Sequence, residues 1–151
     1  MSRIIVLDTT PFGIATAGVR NPEAQGCRKW IQDCISNGVR VCLPEIADYE
    51  LRRELLRTNA VGSIRRLDIL KSSLMYVPIT TKAMLKAAEL WAQSRNAGVV
   101  TADKHALDGD IILVAQALIL EVSGDDIIVA TINVRHISQF IAADIWSNIP
   151  A

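Results

Sequence analysis

Residues 3–10 read Arg3-Ile4-Ile5-Val6-Leu7-Asp8-Thr9-Thr10. Ile4 to Leu7 is an unbroken apolar run, rich in β-branched residues. A strand with one wet face alternates polar and apolar residues, whereas a continuous run must be covered on both faces. The stretch therefore predicts a buried strand over Arg3–Leu7, with Asp8 projecting at its carboxyl edge.

The same texture returns at Val39–Leu43 and Asp126–Thr131. Met75–Ile79 predicts a shorter strand, confined to an edge by Pro78. Ile145–Ser147 predicts a last edge strand. Helical stripes lie between. Pro11 opens a helix to Ala17. Pro22–Asn37 carries Cys27, Trp30, Ile31 and Cys34 at helical spacing and closes at Asn37-Gly38. Pro44 starts a helix to Thr58. Ala60–Ser72 turns Val61, Ile64, Leu67 and Leu70 inward. Thr80 caps a long helix to Ala97, with Met84, Ala88 and Trp91 inward and Gly98 at its end. Leu107–Val122 is apolar after its first turn and predicts a buried helix. Val134, Ile137, Phe140 and Ile141 mark a short one. Strands alternating with helices predict an α/β fold, a three-layer sandwich whose mainly parallel central sheet of four to five strands carries helices on both faces.

The chain has 151 residues and no linker, repeat or low-complexity stretch, so one domain over 1–151 is expected. A hydrophobic fraction of 50% with 21% charged residues excludes a disordered chain. Lys plus Arg number 16 and Asp plus Glu number 16, so a protein that coats nucleic acid by bulk charge is disfavoured. The longest apolar run, Ile111–Leu120, is broken by Gln116 and too short to span a bilayer. The amino terminus is charged too early for a signal peptide. Cys27, Cys34 and Cys42 lack metal or disulfide spacing and read as core residues of a reduced, cytoplasmic protein.

In parallel sheets, ligands sit beyond the carboxyl ends of the strands. Asp8 leaves the first strand there, and Asn133 follows the Ile127–Thr131 run with one residue between; each alone suits a turn or cap. On a wheel of about 100° per residue, Glu45, Asp48 and Arg52 share one face, an ordinary surface ladder. Glu50 falls between Ile46 and Ala47 on an apolar flank. A carboxylate there needs a partner, either a metal or Arg53. Asp108 and Asp110 flank Gly109 in the first turn of the apolar helix, where one cap explains only one of them. Gathered at one sheet edge, such oxygens suit a hard divalent cation, Mg²⁺ or Mn²⁺.

These residues resemble the PIN-domain nucleases, especially the VapC-like toxins of toxin–antitoxin pairs. Ile5–Thr10 is similar to their first motif, with the acid at Asp8. Pro44–Arg53 is similar to the second, with the acid at Glu50. Leu107–Ala117 resembles the third, with Asp110 as the helical acid and Asp108 as an accessory. Thr131-Ile132-Asn133-Val134-Arg135-His136 resembles the fourth. The resemblance implies a PIN fold and metal-dependent endonuclease cleavage of RNA. It also implies a homodimer and an antitoxin protein partner. Asp8, Glu50 and Asp110 would hold the metal, Asp108 and Asn133 would orient its shell, and Thr9 and Thr131 would support it. Two departures stand out. Asn133 replaces the fourth acid of many relatives, and Ile137 stands where toxins often carry phenylalanine.

Residues 52–71 carry Arg52, Arg53, Arg57, Arg65, Arg66 and Lys71 against Glu54 and Asp68, a net of +4. Residues 101–126 carry Asp103, Asp108, Asp110, Glu121, Asp125 and Asp126 against Lys104, a net of −5. A basic helical pair beside an acidic edge suits a phosphodiester substrate, with Arg52, Arg53 and Arg57 as RNA-binding candidates; solvated helix faces would look the same. His105 and His136 read as loop or surface residues, His136 within reach of substrate. A phosphotransferase with Asp8 as nucleophile lacks its usual second acid, since Thr10 stands there. A non-catalytic PIN domain binding RNA or a protein partner is the alternative.

Overall fold

The computed structural model describes residues 3–98, 104–120 and 126–151, with the side chains of 104–107 left out. Five parallel strands form its sheet, in the order β3-β2-β1-β4-β5. They are β1 (Arg3–Leu7), β2 (Arg40–Pro44), β3 (Met75–Val77), β4 (Asp126–Ala130) and β5 (Ala143–Asp144). The expected fold class is thus observed, with every pairing parallel. The decisive run is the central strand. Ile4, Ile5, Val6 and Leu7 are at most 1% exposed, as a strand covered on both faces must be.

The helices are α1 (Thr9–Thr16), α2 (Pro22–Ser36), α3 (Glu45–Arg57), α4 (Val61–Lys71), α5 (Thr81–Asn96), α6 (Lys104–Leu118) and the single turn α7 (Val134–Ile137). Local chemistry sets their ends. Asn21 accepts from the N–H groups of Glu23 and Ala24 at the start of α2. Gly38, at φ 83°, turns the chain out of that helix into β2. Gln116, the one polar break in the apolar α6 stretch, is fully buried and bonded at both ends of its amide. Its Oε1 accepts from Ile46 N–H at 3.2 Å, and its Nε2 donates to Val77 O at 2.8 Å. One amide thereby fastens α6 to the start of α3 and the end of β3.

Several expectations change. The first helix begins at Thr9, because Asp8 and not Pro11 caps it. The helix expected over Leu107–Val122 is observed from Lys104 to Leu118, with Val122 outside the described residues. The last edge strand is Ala143–Asp144, and Trp146–Asn148 is a 3₁₀ turn whose Trp146 ring meets Trp30. Helix α5 buries Ala83, Ala87, Leu90 and Ser94, whereas Met84, Ala88 and Trp91 face outward. Three small residues on that face let α5 approach its neighbour closely, with Leu90 the one bulky side chain buried there. Val61 begins α4 and is exposed, while Leu67 on the same stripe is buried.

Asp48 is buried, not part of a surface ladder. It accepts from Arg52 Nε at 2.9 Å and from Lys71 Nζ at 2.6 Å. Burial pushes its carboxyl up, but these two cations outweigh that and hold it below the ordinary range. The pair ties α3 to α4. Glu45 is tied as well, accepting from Ile79 N–H.

Candidate active site

Asp8 ends β1 and caps α1. Its Oδ1 accepts from Thr9 N–H at 2.7 Å, and its Oδ2 accepts from the Thr131 hydroxyl at 2.7 Å. The register that pairs Leu7 with Ala130 puts Asp8 and Thr131 side by side. Burial pushes the Asp8 carboxyl up, against the pull of those hydrogen bonds. The Thr131 hydroxyl oxygen also accepts from Asn133 N–H at 2.9 Å, so the turn after β4 is built onto Asp8.

Glu50 comes to the same edge from α3. Its Oε1 accepts from the Thr9 hydroxyl at 2.9 Å, and Arg53 Nη2 lies 3.9 Å from its Oε2. Of the two partners left open for Glu50, Arg53 stands near it, with the Thr9 hydroxyl beside, and a neighbour with no side chain leaves it space. A Cβ on Gly109 would stand 2.7 Å from Glu50 Oε2. Glycine in a helix interior costs up to about 1 kcal/mol against alanine. Here it makes the room that Glu50 occupies.

Asp110 enters from α6. Burial, then the negative charges of Asp8 and of Glu50, push its carboxyl up to about 7. Neither Asp108 nor Asp110 caps α6, because the helix starts at Lys104 and both fall in its second turn. The capping explanation is thereby removed. Asp108 is exposed and lines an apolar groove with Met84, Trp91 and Ile112. Asn133 begins α7 with no side-chain cap bond. His136 Nε2 lies 3.8 Å from Asp110 Oδ2, and burial lowers its basicity. The His105 side chain, Asp103, Glu121 and Asp125 lie outside what is described.

Three acids from three elements thus share one electrostatic neighbourhood. Among the described residues, however, no three His, Cys, Asp or Glu side chains converge closely enough to hold a metal ion as they stand. The donor chemistry, oxygen throughout with mutually repelling carboxylates, fits a hard divalent cation.

The basic candidates divide. Arg53 stacks over Tyr49 at 5.0 Å beside Glu50 and is well exposed. Arg52 is spent on Asp48 and Asp68, and Arg57 pairs with Glu54. Arg66 donates to Thr16 O, closing α1. Much of the +4 segment therefore serves internal contacts.

A pH prediction follows from Asp110. Its folded-state pKa is raised, so the native protein binds a proton that the unfolded chain releases near 3.9. In EDTA, stability should fall as pH rises from 4 through about 7, with a slope of at most about 1.4 kcal/mol per pH unit from this group. Urea unfolding of wild type and Asp110→Asn across that range checks it. The variant should show a flatter profile.

VapBC2 from Rickettsia felis, bound to a DNA fragment from their promoter, aligns with a TM-score of 0.72 at 14% identity, over 95% of this chain and 98% of that one. VapBC-1 from nontypeable Haemophilus influenzae aligns at 0.66 and 17% identity, over 96% and 99%. DNA-bound VapBC from Salmonella typhimurium aligns at 0.63 and 18% identity, over 97% and 99%. The chain has a VapC-like PIN fold. No protein-family model and no curated sequence matches it. On this PIN fold, Asp8 leaves the central strand, and Glu50 and Asp110 reach the same edge from α3 and α6, both later in the chain.

Proposed function

We propose that this protein is a metal-dependent endoribonuclease, a VapC-like toxin that hydrolyses RNA phosphodiester bonds. The observation that carries the reading is the coupling of Asp8, Glu50 and Asp110 at one edge of a PIN fold. Asp8, Glu50 and Asp110 would hold Mg²⁺ or Mn²⁺, with Asp108 and Asn133 toward its outer shell. When bound, the cation supplies a water of lowered pKa and stabilises charge on a phosphoryl group.

The protein's own residues then orient. Thr9 fixes Glu50 through its hydroxyl and Asp8 through its N–H, while Thr131 holds the other Asp8 oxygen. Both Asp8 oxygens are therefore engaged, which favours an oriented ligand over an attacking nucleophile. Arg53, exposed at the rim, is the cation best placed to meet an RNA phosphate. Asn133 adds no charge, which favours a single-metal site.

The test is cleavage of a mixed RNA panel with Mn²⁺ and with EDTA. Metal-dependent cutting supports the reading. A folded protein that neither cuts RNA nor binds Mn²⁺ would overturn it and leave a PIN domain that only binds RNA or a protein partner.

The reading extends to partners and location. Three of the structural neighbours are VapBC complexes, which supports an antitoxin protein as partner. The exposed Met84, Leu85 and Trp91 on α5 suit a second copy of the chain. Trp91→Glu should then shift sedimentation from dimer to monomer; an unchanged dimer would place the interface elsewhere. Among the described residues, no helix is long and apolar enough to cross a membrane. Cys27, Cys34 and Cys42 are free and buried, which suits a reducing cytoplasm.

A further inference from the structure

Among the described residues at this edge, His136 is an ionisable side chain to which the nuclease reading gives no task. It sits on α7, a single turn that cannot hold a side chain by its own length. Ile137, fully buried, pegs that turn into the core. The N–H groups of His136 and Ile137 both donate to Asn133 O, at 3.1 and 3.0 Å. The imidazole packs edge-on against Phe140, with centroids 5.8 Å apart and planes at 86°. The ring is thus held from the backbone and from its flank.

Its Nε2 is buried and has no hydrogen-bond partner. Buried polar nitrogens are nearly always satisfied, so an orphan calls for an explanation. The atom faces Asp110 Oδ2 at 3.8 Å, beyond a hydrogen bond but within one small adjustment of it. Because Nε2 meets no solvent, it cannot touch RNA from where it stands, and whatever it does passes through Asp110. The same turn already grips Asp8, since the Thr131 hydroxyl bonds both the Asp8 carboxylate and Asn133 N–H. One short segment after β4 therefore addresses two of the three acids.

We propose that His136 is a positioning residue for Asp110: its Nε2–H is the donor that orients the Asp110 carboxylate toward Asp8 and Glu50. Carboxylate ligands of metals are commonly fixed by such an outer donor, and loss of that donor weakens metal binding about 10- to 100-fold. The metal readout rests on the nuclease reading; the tautomer readout does not.

The experiment compares wild type with His136→Phe, which keeps the ring against Phe140 and removes the nitrogen, and with His136→Gln, which restores a donor. Expected for His136→Phe is Mn²⁺ binding by calorimetry weakened at least about tenfold, kcat for RNA lowered with KM unchanged, and a melting temperature in EDTA at or above wild type. His136→Gln should recover most of the Mn²⁺ affinity. Unchanged Mn²⁺ affinity in His136→Phe, or a Gln variant as weak as the Phe variant, would overturn the proposal. Imidazole ¹⁵N shifts of the metal-free protein supply the independent arm. The Nε2-protonated tautomer should dominate in wild type, and its Nε2–H proton should move upfield in Asp110→Ala, which removes the acceptor. An Nδ1-protonated wild type would overturn the proposal. Wild type that binds no Mn²⁺ yet shows an Nε2–H shift that depends on Asp110 would overturn the nuclease reading and leave His136 in its assigned role.

Discussion

Asp8→Asn should abolish RNA cleavage, by at least about 100-fold, while the protein becomes no less stable. The two halves of that expectation have separate physical origins. Outer-shell partners of a metal site are worth up to about 100-fold, and Asp8 is assigned to the metal itself, so its charge should be worth at least as much. Stability behaves differently because Asp8 is a buried carboxylate whose pKa burial has raised. The native state therefore carries a desolvation cost at neutral pH, where the unfolded chain keeps the acid ionised in water. An asparagine oxygen can still accept from Thr9 N–H, and the Thr131 hydroxyl can reverse and accept from the amide. Removing a charge that the fold tolerates but does not need should hold the melting temperature in EDTA at or above wild type. Initial cleavage rates with Mn²⁺ and thermal melts in EDTA check both halves. Cleavage that survives the substitution would remove Asp8 from the site. Lost cleavage with a collapsed melt would mean that Asp8 serves the fold first.

Gly109→Ala should give the second-largest loss, with the same signature reached by another route. Alanine in a helix is favoured over glycine by up to about 1 kcal/mol, so the backbone of α6 gains. The three atoms nearest the new Cβ all belong to the carboxylate end of Glu50, the first at 2.7 Å, and a flexible side chain can move away at little cost. Glu50 then leaves the oxygen arrangement it shares with Thr9 and Asp110. A displacement of about 1 Å at a reacting centre can cost on the order of 100-fold. The expected result is a stable protein with a cleavage rate reduced by about that factor and weaker Mn²⁺ binding. Gly109→Ala with wild-type cleavage would mean that Glu50 has another productive position.

The site was partly legible in the sequence because two of its signals are one-dimensional. A carboxylate directly after a buried strand, as Asp8 follows Ile4–Leu7, must project at the strand's carboxyl end. An acid on an apolar helix flank, as Glu50 is, must find a partner. The role of Gly109 carried only a faint signal, a glycine in the middle of a strongly helical stretch. The identity of the residue it accommodates, fifty-nine positions away on another helix, had none. Arg52 and Asp48 show the converse. Their spacing within α3 suggested an exposed ladder, but α4 folds across that face and brings Lys71 and Asp68 to them. Arg52, which looked available for RNA, is instead spent between helices. Helix α5 follows the same logic, since packing buried Ala83, Ala87, Leu90 and Ser94 and left the stripe of Met84, Ala88 and Trp91 outward.

What this sequence determined alone was the alternation of elements, the central buried strand and the end of that strand on which acids collect. Those features depend on hydrophobic period and on local capping, which act over a few residues. Which helix face turns inward, which cations remain for a substrate, and that Asp110 shares its surroundings with Asp8 and Glu50 were decided by the tertiary structure. Burial and Coulomb interaction depend on distance in space, and distance in space is set only when the helices close over the sheet.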